Sequence, residues 1–283
     1  MLAVSLNLMT GILGQMSFGH AAFWGIGAYA GAILTKTYGW NSILIFGAGA
    51  VFAGLFGLLL SLPVMHLKGY YFTIVTMVFC QIIRVIEINW LSLTNGPLGI
   101  MAIPKIQFLG MPIKTQRSYY YTILLLLLLT TVIVTVISSS RMGYAVKAIR
   151  DDDVAAAAMG INVFKYKVII IVISSMLAGA AGAFFAVYSS YIDPSLFTNA
   201  ASNNMLVMVI FGGLGNIFGS FVGAIVLTIL PEVLRGFSEY RQLIFGALLV
   251  ALMLVKPSGL FGAVNFRYIG QRLALSRRKR GEP

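Results

Sequence analysis

Three consecutive aspartates, Asp151 to Asp153, are the residues of this chain with the most obvious potential for chemistry. Acidic clusters of this kind hold Mg²⁺ and a diphosphate in membrane prenyltransferases. That chemistry needs carboxylates one helical turn apart on one face, together with a second acidic cluster. Consecutive residues of a helix point about 100° apart, and the sequence has no second cluster. The triplet therefore predicts a helix start, where aspartate oxygens accept hydrogen bonds from the first free N–H groups.

The other residues with catalytic potential are few and scattered. His20 and His66 are far apart and have no cysteine or carboxylate at ligand spacing, which argues against a metal site. The phosphate-binding pattern GxxxxGK[ST] is absent, so we do not expect this chain itself to bind ATP. The single cysteine, Cys80, lies in an apolar run and says little about redox environment. We expect no catalytic residue, no metal ligand and no cofactor-binding residue.

The aspartates belong to a polar island, residues 141–167, which lies between two long apolar runs. This island holds five of the twenty lysines and arginines and three of the eight acidic residues. Burying three aspartates at the centre of a bilayer would cost about 8–10 kcal/mol. The island must therefore lie in water or against another protein.

Start and stop signals inside the island predict two short helices. The first covers 143–149, with Val146 and Ile149 on one side. The second starts at the aspartates, continues through 154–158 and ends at Gly160, which can adopt the left-handed conformation that stops a helix. Two short helices with small alanine faces form a compact knob that can dock into a groove of a partner. A solvated loop would need neither the alanines nor these signals.

The chain around the island has the composition of a membrane protein. It is 59% hydrophobic and 10% charged, with a mean hydropathy of +0.92, whereas soluble domains are about 25% charged. The apolar runs lack strand-like alternation, which argues against a membrane barrel. We predict an all-α, polytopic transmembrane bundle with eight spanning segments, or nine if the seventh is broken near Gly212–Asn216. The segments are 1–14, 20–36, 42–62, 70–91, 118–139, 166–189, 203–231 and 241–256.

The formal net charge of +12 is distributed as the positive-inside rule predicts. With nine crossings, placing the island and the C-terminal tail in the cytoplasm leaves 13 basic residues inside and 6 outside, Arg84 lying within a helix. This arrangement favours contact with anionic lipid over nucleic acid. We predict a transmembrane domain over 1–262 and a basic cytoplasmic tail over 263–283. The short first segment indicates either a missing natural N-terminal helix or a short tilted one.

Two glycine-rich stretches place polar residues at the expected depth of the membrane, GQMSFGH at 14–20 and GGLGNIFG at 212–219. Backbone breaks at that depth only where it is buried in protein or lines a cavity. The stretches are therefore either parts of a transport pathway or plain turns between helices. The candidate pathway residues are Gln15, Ser17, His20, Gly212, Gly213, Gly215 and Asn216.

Arg84 and Glu87 are the other candidate pathway residues. They are three positions apart in an apolar segment, on one face of a helix, and can pair. Ionisable groups in membrane helices usually face the interior of the bundle or a cavity. Near the end of the segment the two side chains can instead reach the interface.

Several longer stretches carry a family resemblance. They are SLNLMTGILGQMSFGHAAFWGIGAYAG (5–31), KGYYFTIVTMVFCQIIRVIEINW (68–90), LTNGPLGI (93–100), SRMGYAVKAIRDDDVAAAAMGINVFKYK (140–167), LAGAAGAFFAVYSSYIDP (177–194), MVIFGGLGNIFGSFVGAIVLTILPEVLR (208–235) and LVKPSGLFG (254–262). Through them the chain resembles the LivM-type permease subunit of bacterial branched-chain amino acid ABC transporters, over about residues 4–262. The resemblance implies the fold of an ABC importer permease.

The resemblance also gives the island a partner. In ABC importers an Ala-rich stretch that ends in Gly docks into a cleft of the ATP-binding subunit. In this chain the sequence DDDVAAAA stands where the family's EAA motif is expected, which leaves the exact contact residues open. The implied coupling residues are Arg150, Asp151, Asp152, Asp153, Ala155, Ala156, Ala157, Ala158 and Gly160.

The resemblance further implies an assembly and a location. Family members work with a second, LivH-like permease subunit, two cytoplasmic ABC ATPase subunits and a periplasmic or lipid-anchored amino-acid-binding protein. The implied activity is ATP-driven import of Leu, Ile and Val across the bacterial plasma (inner) membrane, with ATP bound by the partners. Members usually have a further helix before the SLNL motif.

Three alternatives stay open. The first is an ABC permease for urea, short amides, sugars or other amino acids. The second is a secondary transporter or channel, which would need ionisable groups in mid-membrane, and only Arg84 and Glu87 are candidates for them. The third is a membrane enzyme, for which no paired catalytic cluster exists in the sequence.

Overall fold

The computed structural model describes residues 1–64, 67, 69–105, 107–108, 111–112, 116–233, 246, 250, 254 and 259–261. Helices dominate these residues, so the all-α prediction is confirmed. A π-helix covers Leu8–Ile12, and a 3₁₀ turn covers Gly96–Leu98. The α-helices are α1 Leu2–Asn7, α2 His20–Tyr38, α3 Ser42–Val64, α4 Tyr70–Asn89, α5 Leu91–Thr94, α6 Gln116–Ser139, α7 Arg141–Asp151, α8 Asp153–Ala158, α9 Val163–Ser189, α10 Asn199–Gly212 and α11 Ile217–Val233.

Four of the helices within the described residues are long and apolar enough to cross a membrane by length and composition. They are Leu44–Val64, Tyr70–Asn89, Gln116–Ser139 and Val163–Ser189. The predicted segments 1–14, 20–36 and 203–231 correspond to helices that are shorter or richer in glycine and polar residues, namely α1 with its π-helical end, α2, and the pair α10 and α11. The predicted segment 241–256 and the tail 263–283 lie mostly or wholly outside the described residues.

Small residues allow α2, α3 and α9 to pack backbone to backbone. A Cβ added at Gly27 of α2 would lie 2.1 Å from the carbonyl oxygen of Gly179 in α9. A Cβ at Gly179 would in turn lie 2.3 Å from the carbonyl oxygen of Gly49 in α3. Lipid offers little hydrophobic drive for helix association, so such close contact supplies much of the packing energy. These three helices form the frame against which the other elements are placed.

The first helix lies in the centre of the bundle. All residues from Ala3 to Leu13 are buried. The hydroxyl of Ser174 in α9 donates to the carbonyl oxygen of Ser5 at 2.6 Å, and the imidazole Nε2 of His20 lies 2.8 Å from the Ser5 hydroxyl. Short as it is, α1 is therefore a core element of the bundle.

Short two-stranded pairings mark the end of the bundle opposite the polar island. The strands β1 Ile100–Met101 and β4 Tyr191–Ile192 pair antiparallel, with Ile100 opposite Ile192. In a second antiparallel pair, β2 Gln107–Phe108 lies beside β3 Met111–Pro112. Lys36, in the last turn of α2, donates to the carbonyl oxygen of Met101 at 2.9 Å. Because α2 runs from His20 to this end, its first residues lie towards the island.

Candidate functional site

The polar island is attached to the end of α6 by a tight, capped turn. Ser140 caps α7, its hydroxyl accepting from the N–H of Gly143 at 3.2 Å. A Cβ at Gly143 would lie 2.3 Å from the carbonyl oxygen of Ile137, so only glycine fits this turn. Val146 and Ile149 are buried against the bundle, on the side that the sequence predicted. The helix itself is longer than predicted, Arg141–Asp151 instead of 143–149.

The three aspartates have three different roles. Asp151 ends α7 and pairs with Arg150 at 3.2 Å. Asp152 is the cap of α8, and its Oδ1 accepts from the N–H groups of Val154 and Ala155 at 2.9 and 3.1 Å. Asp153 opens α8 and forms an ion pair with Lys167 of α9 at 3.6 Å. The predicted helix start is confirmed, and it belongs specifically to Asp152.

The second short helix presents most of its alanines to the surroundings. Ala155, Ala157, Ala158 and Gly160 are exposed. Gly160 has a φ of +83° and ends this segment in the left-handed region, as the sequence predicted. Ala156 differs, because it is only 4% exposed and its methyl group packs into the core of the chain. Ala156 is therefore unavailable to a partner, since one side of so short a helix must rest on the bundle.

Two apolar residues of this surface were not among the site residues predicted from the sequence. Val154 is 66% exposed and Met159 is 83% exposed. Contiguous exposed apolar area is a candidate contact surface. Their position beside the alanines and the helix stop was the signal that could have identified them. We call this candidate surface for the predicted contact with a partner the docking face, and it consists of Val154, Ala155, Ala157, Ala158, Met159 and Gly160.

The first predicted break is an irregular segment between the π-helix and α2, residues 13–19. This segment runs alongside α4. The N–H of Phe18 donates to the Thr76 hydroxyl at 3.2 Å, and the Thr73 hydroxyl donates to the carbonyl oxygen of Met16 at 3.2 Å. Gln15 and Ser17 are buried. The break is therefore tied to a neighbouring helix and partly covered by protein, while Gly14 and Met16 are exposed. Irregular backbone at membrane depth is tolerated where it is buried in protein or lines a cavity.

The second predicted break separates α10 from α11 and is also confirmed. Gly213 and Gly215 have φ values of +115° and +79°, which few residues other than glycine adopt. The amide of Asn216 closes the break, donating to the carbonyl oxygen of Phe261 at 2.7 Å and accepting from the N–H of Gly219 at 3.2 Å. A Cβ at Gly212 would lie 2.0 Å from the carbonyl oxygen of Gly219, so α10 and α11 touch here.

The tertiary structure brings the first helix against the second break. The N–H of Gly215 donates to Oδ1 of Asn7 at 2.9 Å. A Cβ at Gly11 would lie 2.2 Å from that same nitrogen. Asn7 and Gly11 were not among the predicted site residues. Their signal was a polar and a small residue four positions apart on an apolar helix, a pattern that favours interhelical contact.

Some of the buried polar side-chain atoms that have no hydrogen-bond partner among the described residues lie around the first break. These are Asn7 Nδ2, Thr10 Oγ1, Gln15 Oε1 and His20 Nδ1, and the others belong to Tyr29, Arg84, Glu87 and Asn199. Buried polar groups are otherwise nearly always hydrogen-bonded. The first group makes residues 7–20 a candidate polar lining.

Arg84 and Glu87 lie apart from this junction, at the other end of α4. Glu87 is only 4% exposed, so it faces the bundle interior and does not reach the interface. Its Oε1 lies near Gly25 of α2, where an added Cβ would be 2.8 Å away. Neither carboxylate oxygen of Glu87 has a hydrogen-bond partner among the described residues. Arg84 and Glu87 therefore make no hydrogen bond to each other, although the positive charge of Arg84 acts on the Glu87 carboxyl group.

The part of the chain that the structure describes contains no group of three His, Cys, Asp or Glu residues that could hold a metal ion. The functional geometry lies instead in the exposed docking face and in the junction of the two breaks. Both features belong to the same end of the bundle, because Arg150 of the island donates to the carbonyl oxygen of Gly11 at 3.1 Å.

Comparison with known proteins gives the same assignment over nearly the whole chain. The family model described as "Branched-chain amino acid transport system / permease component" matches residues 1–254. The chain is 33% identical to the LivM permease protein of the high-affinity branched-chain amino acid transport system of Escherichia coli K12 and 32% identical to that of Salmonella typhimurium, with 92% of this chain covered in each case. It is 24% identical to the LivH permease protein of Escherichia coli K12, over 93% of this chain and 90% of that protein.

The chain spans 66% of the length of the two LivM proteins. No solved structure matches it. The family match covers far more than half of the chain and includes both helix breaks and the island. This protein belongs to the family of branched-chain amino acid transport system permease components.

Proposed function

We propose that this chain is the transmembrane permease subunit of an ATP-driven importer, that it forms the translocation pathway for Leu, Ile and Val, and that it couples this pathway to cytoplasmic ATPase subunits. The observation that carries the proposal is the capped, exposed helix α8 beside the junction of two helix breaks, in a member of this permease family. No residue is assigned covalent chemistry. ATP is bound by partners, and the chain needs no cofactor of its own.

The docking face has the properties expected of a coupling surface. Its alanines and Gly160 let another protein approach closely, while Val154 and Met159 supply apolar area. Asp152 fixes the start of α8 through two hydrogen bonds, a cap that is worth about 1 kcal/mol. The ion pair of Asp153 with Lys167 ties α8 to the membrane helix α9. A rigid knob on a membrane helix can transmit a displacement, whereas a loose loop cannot.

The names of the relatives support a second permease subunit, and the resemblance to ABC transporters implies the other partners. A second, LivH-like permease would complete the membrane part, two ABC ATPase subunits would receive the docking faces, and an amino-acid-binding protein would deliver the substrate at the opposite end. The island and the tail 263–283 would then face the cytoplasm of a bacterium, with the bundle in its plasma membrane and no role in nucleic acid binding.

The proposed pathway passes the first break. Gln15, Ser17 and His20, with the glycine turn at 212–216, would line or flank it. The polar atoms of residues 7–20 that have no described partner favour a wet or substrate-lined region. ATP binding by the partners would shift the bundle between inward-open and outward-open states, because the ATPase dimer binds the two states with different affinity.

Docking is tested by placing a charge on the exposed face of α8. Ala157→Glu should reduce co-purification of the ATPase subunits with the tagged permease at least about tenfold, since a central contact of an interface is worth 1.4 kcal/mol or more. Ala157→Ser keeps the residue small and should retain both the ATPases and uptake. Wild-type co-purification and uptake by Ala157→Glu would refute docking through this face. Substitution of buried Ala156 would report on folding instead.

The substrate is tested by uptake of labelled Leu into proteoliposomes that contain the complete complex and its binding protein. We expect ATP-dependent uptake that excess Ile or Val suppresses and that urea and ribose leave unchanged. Competition by urea or ribose would assign the chain to a permease for amides or sugars. Uptake that persists without the ATPase subunits would assign it to the secondary transporters or channels.

A further inference from the structure

The side chain of Arg150 reaches the membrane helices, while 39% of it stays exposed. Its Nη1 donates to the carbonyl oxygen of Gly11, in the π-helical end of the first helix, at 3.1 Å. Its Nε and Nη2 donate to Oδ1 of the exposed Asp151, each at 3.2 Å. One guanidinium thus joins the core of the bundle to the outer surface of the island.

The stem of Arg150 also lies directly on the first break. A Cβ added at Gly14 would be 2.4 Å from Cγ of Arg150, and Gly14 has a φ of +79°. A Cβ added at Gly215, in the second break, would be 3.6 Å from Nη1 of Arg150. Because Gly215 also donates to Asn7, Arg150 lies where the two breaks meet.

The chemistry of this contact suits a mechanical link. Gly11 belongs to the last turn before the first break, where carbonyl groups lack a partner in their own helix and carry the negative end of its dipole. A guanidinium is always charged and has five donors in a fixed plane, so it can hold two acceptors in a defined geometry. The breaks are the points where α1 and α10 can change direction, because the regular hydrogen-bond ladder is interrupted there.

We propose that Arg150 is a positioning residue that joins the island to both helix breaks, so that a displacement of the docking face is delivered to the breaks. This inference rests on the proposed function, which supplies the displacement. It gives Arg150 a role inside the membrane domain, whereas the sequence placed it among the residues that contact the ATPase. The link acts between the island and the pathway and contributes nothing to ATPase binding.

The test uses the complete complex with its binding protein in proteoliposomes and compares Arg150→Met with Lys165→Met. Arg150→Met keeps the stem on Gly14 and removes the guanidinium. It should lower the ratio of substrate imported to ATP hydrolysed by about tenfold, within the usual range of coupling between sites, while ATPase co-purification stays at the wild-type level. Lys165→Met removes an exposed positive charge of the island that lies outside the link and outside the docking face, and it should leave the ratio unchanged. Arg150→Lys, which keeps the charge and one donor to Gly11, should recover part of the ratio.

Three results would overturn the inference. The first is an unchanged ratio in Arg150→Met, with uptake and hydrolysis falling together. The second is an equal loss in Lys165→Met. The third is loss of the ATPase subunits from Arg150→Met, which would make Arg150 a docking residue. Failure of the proposed function is a separate result, because it appears as retention of the ATPases and of uptake by Ala157→Glu.

A second measurement keeps Arg150 in place and does not depend on the folding of its variants. Spin labels at Tyr144 in α7 and Leu214 in the second break, both exposed, report the distance between the island and the second break in a Cys80→Ser background. If Arg150 makes the island and the second break move together, this distance should be the same in the ATP-free and ATP-bound complexes. A change of about one helical turn, the size of the larger known switching displacements, would refute the link.

Discussion

Gly27→Leu should prevent the chain from assembling into a stable membrane protein. A Cβ at this position would lie 2.1 Å from the carbonyl oxygen and 2.4 Å from the Cα of Gly179. The obstacle is backbone, so no side-chain rotation relieves it, and α2 and α9 would have to separate. Overpacking of a core typically costs about 1–3 kcal/mol and more where backbone must move, against a total stability of about 5–15 kcal/mol. The measurement is the yield of monodisperse protein after extraction from the membrane.

Gly47→Leu is the matched control for this substitution. Gly47 lies in α3 and is exposed, and an added Cβ would meet nothing within 4 Å. Leucine also favours the helix over glycine by up to about 1 kcal/mol. Gly47→Leu should therefore give a wild-type yield. Equal yields from the two variants would show that the contact between Gly27 and Gly179 does not hold α2 against α9.

Asp153→Asn should lower the free energy of unfolding by about 2 kcal/mol, less than the range for removing one partner of a fully buried ion pair, because the Asp153 side chain is 24% exposed. Lys167 is only 5% exposed, and Asp153 lies 3.6 Å from its Nζ. Without the carboxylate, the ammonium of Lys167 would stay desolvated and uncompensated. The measurement is the unfolding midpoint of the purified protein in detergent.

Two further variants separate this loss from a general effect of charge. Lys165→Met, two positions earlier in α9, removes an exposed lysine and should change the free energy of unfolding by no more than about 0.5 kcal/mol. The double variant Asp153→Asn with Lys167→Met removes both charges and should recover most of the loss, since replacing a whole buried pair is often neutral. A midpoint for Asp153→Asn equal to that of Lys165→Met would contradict the role of the pair.

The elements of this fold could largely be predicted, because their signals are local. Apolar runs predicted the membrane helices α3, α4, α6 and α9 nearly to their ends. The glycines at 212–215 predicted the interruption between α10 and α11, since positive φ values there need glycine. The island was predicted as two capped helices because a cap concerns a side chain and the N–H groups two or three positions away.

The candidate site was predicted less completely, because its residues meet across long separations in the chain. The role of Arg150 depends on Gly11, which lies 139 positions away. Ala156 has the same sequence environment as its neighbouring alanines, and only the packing of α8 on the bundle buries it. Arg84 and Glu87 share a face by spacing, yet burial of Glu87 between α4 and α2 turns its carboxylate towards Gly25.

By itself the sequence determined that this chain is a polytopic helical membrane protein with a polar segment that must leave the bilayer. The effects of composition, charge and helix caps depend on water, lipid and the nearest backbone groups. They can therefore be predicted from each residue and its neighbours in the sequence. Only the tertiary structure decided what the three aspartates and Arg150 contact. Those contacts depend on how α1, α7, α9 and α10 pack, and packing is a property of distant residues brought together. This packing places the polar island against the bundle, where one arginine, Arg150, lies at the two breaks in the membrane helices.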